Sequence, residues 1–278
     1  MGLDKKDKEP GALFPKLNLN SLIRLVLRLI LIFSLLVFGA LLFIAIRLLE
    51  WPLFRKNNKI SGYITKYVCK CSLIILGLSL SVQGNLMTFK GAIVSNHISW
   101  IDIFALNSLE KIYFTAKSEV SRWPIIGWLA ILTGTVFVRR QRSQSREQVK
   151  TIVRRLLLGQ KIIFFPEGTS TDGTVVLPFK STLFQSFFDE QVKDFLYVQP
   201  VTISYMANMS CDPRVYAWFD DMSFVRHFFW ILSLKSKGKI SIILHRPLKV
   251  SLYLNRKHLA GDCYDCITRG FNQVLMEK

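Results

Sequence analysis

An uninterrupted apolar run, Leu29 to Ile46, restricts this chain more than any other feature of its sequence. Only Ser34 and Gly39 break it, and neither carries charge. Eighteen residues as a helix span roughly 27 Å at ~1.5 Å per residue, close to a hydrocarbon core of ~30 Å. Arg24 and Arg28 stand before the run, and Arg47 and Trp51 after it, at positions suited to the two interfaces. The run exceeds the apolar stretch of a cleavable signal, and no small-x-small cleavage pattern follows it. Met1-Gly2 opens like an acylation signal, but Lys6 occupies the position that requires Ser or Thr. Residues 1–20 are polar, contain Gly2, Pro10, Gly11 and Pro15, and read as a flexible tail.

The next segment has a different pattern. Ile60, Tyr63, Ile64, Tyr67, Val68, Cys71, Ile74, Ile75 and Leu78 recur at spacings of three and four, with Lys59, Lys66 and Lys70 on the other side. That is a cationic amphipathic helix suited either to the headgroup layer or to packing on a globular core. Residues 1–28 and 47–70 each hold six Lys or Arg, so charge sets no direction of crossing. A spanning helix and a re-entrant one both fit. The 278-residue chain carries 37 Lys plus Arg against 19 Asp plus Glu, a net +18. Such a surplus calls for an anionic partner. A mean hydropathy of +0.30 turns that expectation toward anionic membrane lipids rather than nucleic acid. The basic 139–155 stretch also lacks the interleaved aromatics of a nucleic-acid groove.

From about residue 80 short apolar runs alternate with helical periodicity. Strands are expected at Leu78–Gly84, Ala92–Ser95, Ile112–Ala116, Thr135–Val138, Lys161–Phe165, Val198–Ser204 and Ile240–Leu244. Helices are expected at Asp102–Leu109, Pro124–Leu132, Ser143–Leu158, Thr182–Val192 and Asp262–Met276. The alternation predicts an α/β domain with a mixed sheet flanked by helices. The organisation is then a tail at 1–20, a membrane-binding helical element at 21–79 and a globular domain at 80–278. Five cysteines, among them the single C-x-x-C of Cys263 and Cys266, supply neither a disulfide framework nor four zinc ligands. No metal is expected, and the thiols are read as reduced.

Two loops carry chemistry. In Asn96-His97-Ile98-Ser99-Trp100-Ile101-Asp102 a histidine follows a buried strand, and a carboxylate stands five residues on, where the first helical turn reaches back. A carboxylate on one imidazole nitrogen fixes the tautomer and raises the basicity of the other. Phe165-Pro166-Glu167-Gly168-Thr169 follows a second apolar strand. Pro166 ends the ladder, and Gly168 permits close backbone approach. Loops beyond the carboxyl ends of strands are where α/β sheets build their sites. No Ser lies in a G-x-S-x-G elbow.

These residues, with Gly134-Thr135-Val136-Phe137-Val138-Arg139 and Pro200 in its apolar strand, closely resemble the four ordered motifs of the glycerolipid acyltransferase family, lysophosphatidic acid branch. The resemblance covers residues 80–205. It implies that His97 is the general base, that Asp102 orients it, and that the acceptor hydroxyl attacks an acyl thioester directly. It places Asn96, Ser99, Phe137, Arg139, Glu167, Gly168, Thr169 and Lys180 at the substrates. One departure is clear. Where the family often has Arg after the third motif, this chain has Ser170-Thr171-Asp172-Gly173. Thr182 also stands where the family's F-K-x-G has Gly, although Arg139, Arg140 and Lys180 can still meet a phosphate. The F-P-E-G-T-S-T-D-G form also resembles the lyso-ornithine lipid acyltransferase branch.

The expectation is thus a 1-acyl-sn-glycerol-3-phosphate O-acyltransferase of membrane phospholipid synthesis, its catalytic domain facing the cytoplasm. It would have no cofactor, acyl-CoA or acyl carrier protein as co-substrate, and a lysolipid acceptor. The alternatives are a lyso-ornithine lipid or other lysolipid O-acyltransferase and, in a different class, a non-catalytic basic membrane-binding protein.

Overall fold

The structure, a computed structural model, describes residues 18–54, 60–138, 145–208, 211–235 and 237–276. The expected tail lies, up to residue 17, outside the described residues.

The apolar run is the middle of a longer helix, α1 (Leu19–Phe54). Its 36 residues extend about 54 Å. Asn18 caps the start, its side chain accepting from Ser21 N at 2.9 Å. Among the described residues α1 is the one helix long and apolar enough to cross a membrane, with a most apolar stretch of mean hydropathy 3.1. Most of its Leu, Ile and Phe side chains face outward.

Helix α2 (Ser61–Leu76) doubles back along it. The Glu50 carboxylate of α1 accepts from the backbone N–H of Ile60 and, at 3.3 Å, of Ser61. One helix thereby caps the positive end of the other. Gly39 of α1 lies so close to Val68 that a Cβ there would come within 2.5 Å of Cγ2. Part of the stripe selected by periodicity turns outward, with Ile60, Tyr63, Tyr67 and Ile74 exposed, while Leu78 is buried. The packed face is a second one, containing Ser61, Gly62, Cys69, Ser72, Leu73 and Leu76. Small residues let α2 approach its neighbours closely, which apolar periodicity alone does not reveal. Arg24 and Arg28, expected as interfacial charges, also bond inward. They donate to the carbonyls of Leu232, Ser233 and Leu234 at the end of α6 (Phe224–Ser233), at 2.7 to 3.2 Å. Cations at a helix C-terminus meet its negative end.

The globular part is an eight-stranded mixed sheet: β1 (Leu78–Gln83), β2 (Gly91–Ser95), β3 (Tyr113–Lys117), β4 (Val136–Val138), β5 (Ile162–Phe164), β6 (Tyr197–Met206), β7 (Gly238–Leu244) and β8 (Leu248–Lys249). The order is β1-β7-β6-β2-β5-β3-β4, with β8 also on β6. Strand β2 runs parallel to both β5 and β6, while β6 meets β7 antiparallel. The central strands are buried on both faces, hence their continuous apolar sequence. The remaining helices are α3 (Ile101–Leu109), α4 (Ile126–Leu132), α5 (Ser145–Leu157) and α7 (Arg256–Met276). Two expectations shift. The segment read as a helix over Thr182–Val192 is a 3-10 turn, Ser181–Phe188, and α6 falls where no helix was expected.

Candidate active site

Because β2 and β5 are parallel neighbours in register (Ala92 with Ile162, Val94 with Phe164), the loops leaving their carboxyl ends emerge side by side. That register places His97 beside Phe165 and Glu167. The imidazole stacks on the Phe165 ring, centroids 4.1 Å apart and planes 12° from parallel. The backbone N–H of His97 donates to Glu167 Oε1 at 2.6 Å.

Asp102 sits in the first turn of α3, and its Oδ2 lies 2.7 Å from His97 Nδ1. The same oxygen accepts from the backbone N–H of Ile98 at 2.8 Å and of Ser99 at 3.1 Å. A carboxylate gathering those donors has no solvent exposure and a fixed orientation. It holds the proton on Nδ1 and leaves the lone pair on Nε2, the arrangement of a general base. The imidazole keeps 18% exposure, enough for a substrate hydroxyl to reach it.

The other expected residues divide into two sets. Asn96, Ser99 and Glu167 are buried. The Asn96 amide pairs with both backbone groups of Ile203 on β6, accepting at 2.8 Å and donating at 2.9 Å, so it prolongs the β2–β6 ladder. Ser99 has no exposure. Glu167 Oε2 accepts from Leu177 N at 2.7 Å, so each carboxylate oxygen already holds a backbone donor. Burial, with a smaller contribution from the Asp102 charge, pushes its pKa up to about 7 against those two hydrogen bonds. These three residues shape the loops from within. Gly168, Thr169 and Lys180 lie toward the surface. Gly168 has φ +75°, and a Cβ there would meet Lys180 Nζ at 2.5 Å. The Lys180 ammonium therefore lies against the turn, and its backbone N–H bonds to Pro166 O at 2.9 Å. Phe137 lies on edge strand β4, two strands along from β5. Arg139 and Arg140 lie outside the described residues.

Three contributors were not foreseen. Ser170, at the position of the family's Arg, donates its hydroxyl to Trp218 O. Trp218 N in turn donates to Ile98 O at 2.9 Å. The segment around Trp218 thus ties both motif loops together. The Trp100 indole donates to His227 Nδ1 of α6 at 2.9 Å, and burial lowers the His227 pKa to about 4, which keeps it a neutral acceptor. Tyr205 of β6 donates to Asp102 Oδ1 at 2.6 Å. Trp218 and His227 are far from the motifs in sequence, and Tyr205, on the strand that carries Pro200, is brought to Asp102 only by the sheet register.

The family model described as Acyltransferase matches residues 81–204, a span holding both loops and their strands. The lyso-ornithine lipid O-acyltransferase of Rhodobacter capsulatus is 43% identical over 235 residues, covering 84% of this chain and 85% of that protein. Its namesake from Rhizobium meliloti is 33% identical over 208 residues, 71% of each chain. The crystal structure of the 1-acyl-sn-glycerophosphate acyltransferase PlsC from Thermotoga maritima shares the fold, with a TM-score of 0.65 at 19% identity, covering 91% of this chain and 97% of that one. Fold, paired loops and matches define an acyltransferase, and the reading as a non-catalytic membrane-binding protein falls. The chain belongs to the glycerolipid, lysophosphatidic acid-type acyltransferase family.

Proposed function

We propose that this protein O-acylates lyso-ornithine lipid, using a fatty acyl thioester as donor. The observation that carries the acceptor is the 43% identity over 84% of the chain to a protein bearing that name. Local chemistry agrees. The position of the phosphate-associated Arg is Ser170, whose hydroxyl is occupied by Trp218 O. An ornithine headgroup presents an ammonium and a carboxylate and needs no dedicated phosphate cation.

In this reading the lysolipid hydroxyl donates to His97 Nε2. As its oxygen attacks the thioester carbonyl, the proton passes to the imidazole, whose charge is balanced by Asp102. The tetrahedral intermediate collapses with cleavage of the C–S bond, and the departing thiolate takes that proton. No acyl-enzyme forms, so rate depends on holding the two substrates in line. Glu167 acts through the His97 backbone, whereas Gly168, Thr169 and Lys180 meet the acceptor headgroup. The exposed apolar faces of α1 and α2 seat the site on the bilayer. The five free thiols support a cytoplasmic, reducing side for the catalytic domain. Acyl-CoA and acyl carrier protein are both suited to the basic surface. The earlier acceptor, lysophosphatidate, stays as the second reading because the Lys180 ammonium lies against the turn.

The test is purified full-length protein offered lyso-ornithine lipid, lysophosphatidate and neutral lysolipids in separate assays, each with acyl-CoA and with acylated carrier protein. Preferred acylation of lyso-ornithine lipid is expected. Acylation of lysophosphatidate with lyso-ornithine lipid untouched refutes the acceptor assignment while leaving the reaction class intact.

A further inference from the structure

Asp102 accepts one hydrogen bond from outside both motif loops. Its Oδ2 serves His97 and two backbone N–H groups, while its Oδ1 takes the Tyr205 hydroxyl at 2.6 Å. Tyr205 stands two residues beyond Ile203, the residue that clamps Asn96, so strand alternation returns its side chain to the face Ile203 presents. The β2–β6 register, ending at Ser95 with Val201, lays the His97 loop over this stretch of β6. The phenol is buried and stacks on Tyr216 at 6.0 Å between centroids. Burial, then the Asp102 charge and the hydrogen bond to it, raise the Tyr205 pKa well above its ordinary 10, so the phenol keeps its proton and acts as donor.

We propose that Tyr205 is a positioning residue of the acyl transfer, whose hydroxyl fixes Asp102 and sets how tightly the Asp102–His97 pair holds a proton. A donor on Oδ1 draws negative charge away from Oδ2, the oxygen facing the imidazole. Through such a chain each hydrogen bond polarises the next. Tyr205 touches no substrate and acts through Asp102. The inference rests on His97 as the base, and it adds a determinant of base strength that is independent of acceptor identity.

Among the described residues, the titratable and charged groups around this array include His97 on its own loop, Glu167 from the loop after β5, Tyr205 of β6, and Tyr216, which stacks on Tyr205 and feels the charge of Arg28 from α1. Glu167, raised to about 7, is common to parent and variants, so the difference between their profiles isolates Tyr205.

The experiment compares pH–rate profiles of kcat for full-length parent, Tyr205→Phe, and protein carrying 3-fluorotyrosine at position 205. Phenylalanine deletes the donor. The dyad should then hold its proton about tenfold more tightly, moving the acid limb about one pH unit higher. Plateau turnover should fall roughly tenfold as Asp102 loosens, about the effect of one modest charge-assisted hydrogen bond. Fluorotyrosine keeps the shape, donates more strongly and should move the limb the opposite way. Should Tyr205→Phe fail to fold, the fluorinated protein decides alone. Folded variants whose acid limb coincides with that of the parent overturn the proposal. His97→Ala is run alongside: if it keeps turnover, the base assignment itself is wrong, and if it is inactive while the limbs coincide, only the role of Tyr205 is lost.

Discussion

Replacing Asp102 by Asn separates the charge of that residue from its geometry. Oδ2 faces three N–H donors, those of His97, Ile98 and Ser99, while Oδ1 faces one hydroxyl. An asparagine amide set with its NH2 toward the three donors would clash with all of them. It must therefore place its oxygen there and its nitrogen toward Tyr205, whose hydroxyl can turn and accept. Nδ1 keeps its proton and the imidazole its orientation, so the loss is chiefly electrostatic. With charge centres about 4 Å apart and an effective dielectric of about 20, a carboxylate favours the imidazolium by about 4 kcal/mol. The partial exposure of the ring halves this at most, leaving about 2–4 kcal/mol. Asp102→Asn should then reduce kcat roughly 30- to 1000-fold while leaving KM for the lysolipid within a few-fold. The assay follows thiol released from the acyl donor, with thermal unfolding in detergent as the control for folding. A folded Asp102→Asn protein turning over within threefold of the parent would refute the argument that the buried charge assists the base.

Glu167 is held up to about 7 against an ordinary 4.5, so the folded protein binds its proton more tightly than the unfolded chain. Its stabilising contribution is complete below pH 4.5 and disappears as pH rises through 7. Glu167→Gln should flatten the fall of thermal stability across that window, and an unchanged slope would contradict the assignment. Gly168→Ala forces a Cβ into left-handed backbone and against Lys180. Denaturant titration should show a loss of about 1–2 kcal/mol, and a neutral result would exclude the strain. Arg28→Ala removes both hydrogen bonds to the end of α6 and should lower stability by about 1.5–3 kcal/mol in detergent. An unshifted melting temperature would show the contact to be dispensable. Full-length protein should resist carbonate extraction because of α1, and its recovery in the soluble fraction would overturn the membrane reading.

Much of this architecture is legible in the amino-acid sequence. Strands β2 and β5 announce themselves because parallel strands buried on both faces need continuous apolar runs. A histidine and a Pro-Gly turn directly after such strands locate the site. What sequence does not carry is the direction a side chain takes once its strand ends. Asn96, Ser99 and Glu167 turn inward, where Asn96 and Glu167 satisfy backbone groups, although their types suit substrates equally well. Tyr205 is 103 residues from its partner, a distance that only strand register closes. Helix α6, Phe224–Ser233, escapes detection because it holds a single charge, Arg226, and its exposed side also carries Val225 and Phe229. The packed side of α2 is missed for the opposite reason, since serine, glycine and cysteine do not register as apolar periodicity.

The clamps on α1 bear on how this enzyme meets its substrate. A flexible leash would confine the catalytic domain near the bilayer yet let it tumble. Here Arg24 and Arg28 fasten the helix to the end of α6, and Glu50 fastens it to the start of α2. One inserted residue within α1 would rotate everything beyond it by about 100°, swinging its lipid-facing stripe out of line with those fasteners. The position of His97 relative to the apolar face of α1 is therefore set by helical phase. A substitute anchor joined through a soft linker would restore attachment and still leave lysolipid hydroxyls presented at the wrong angle.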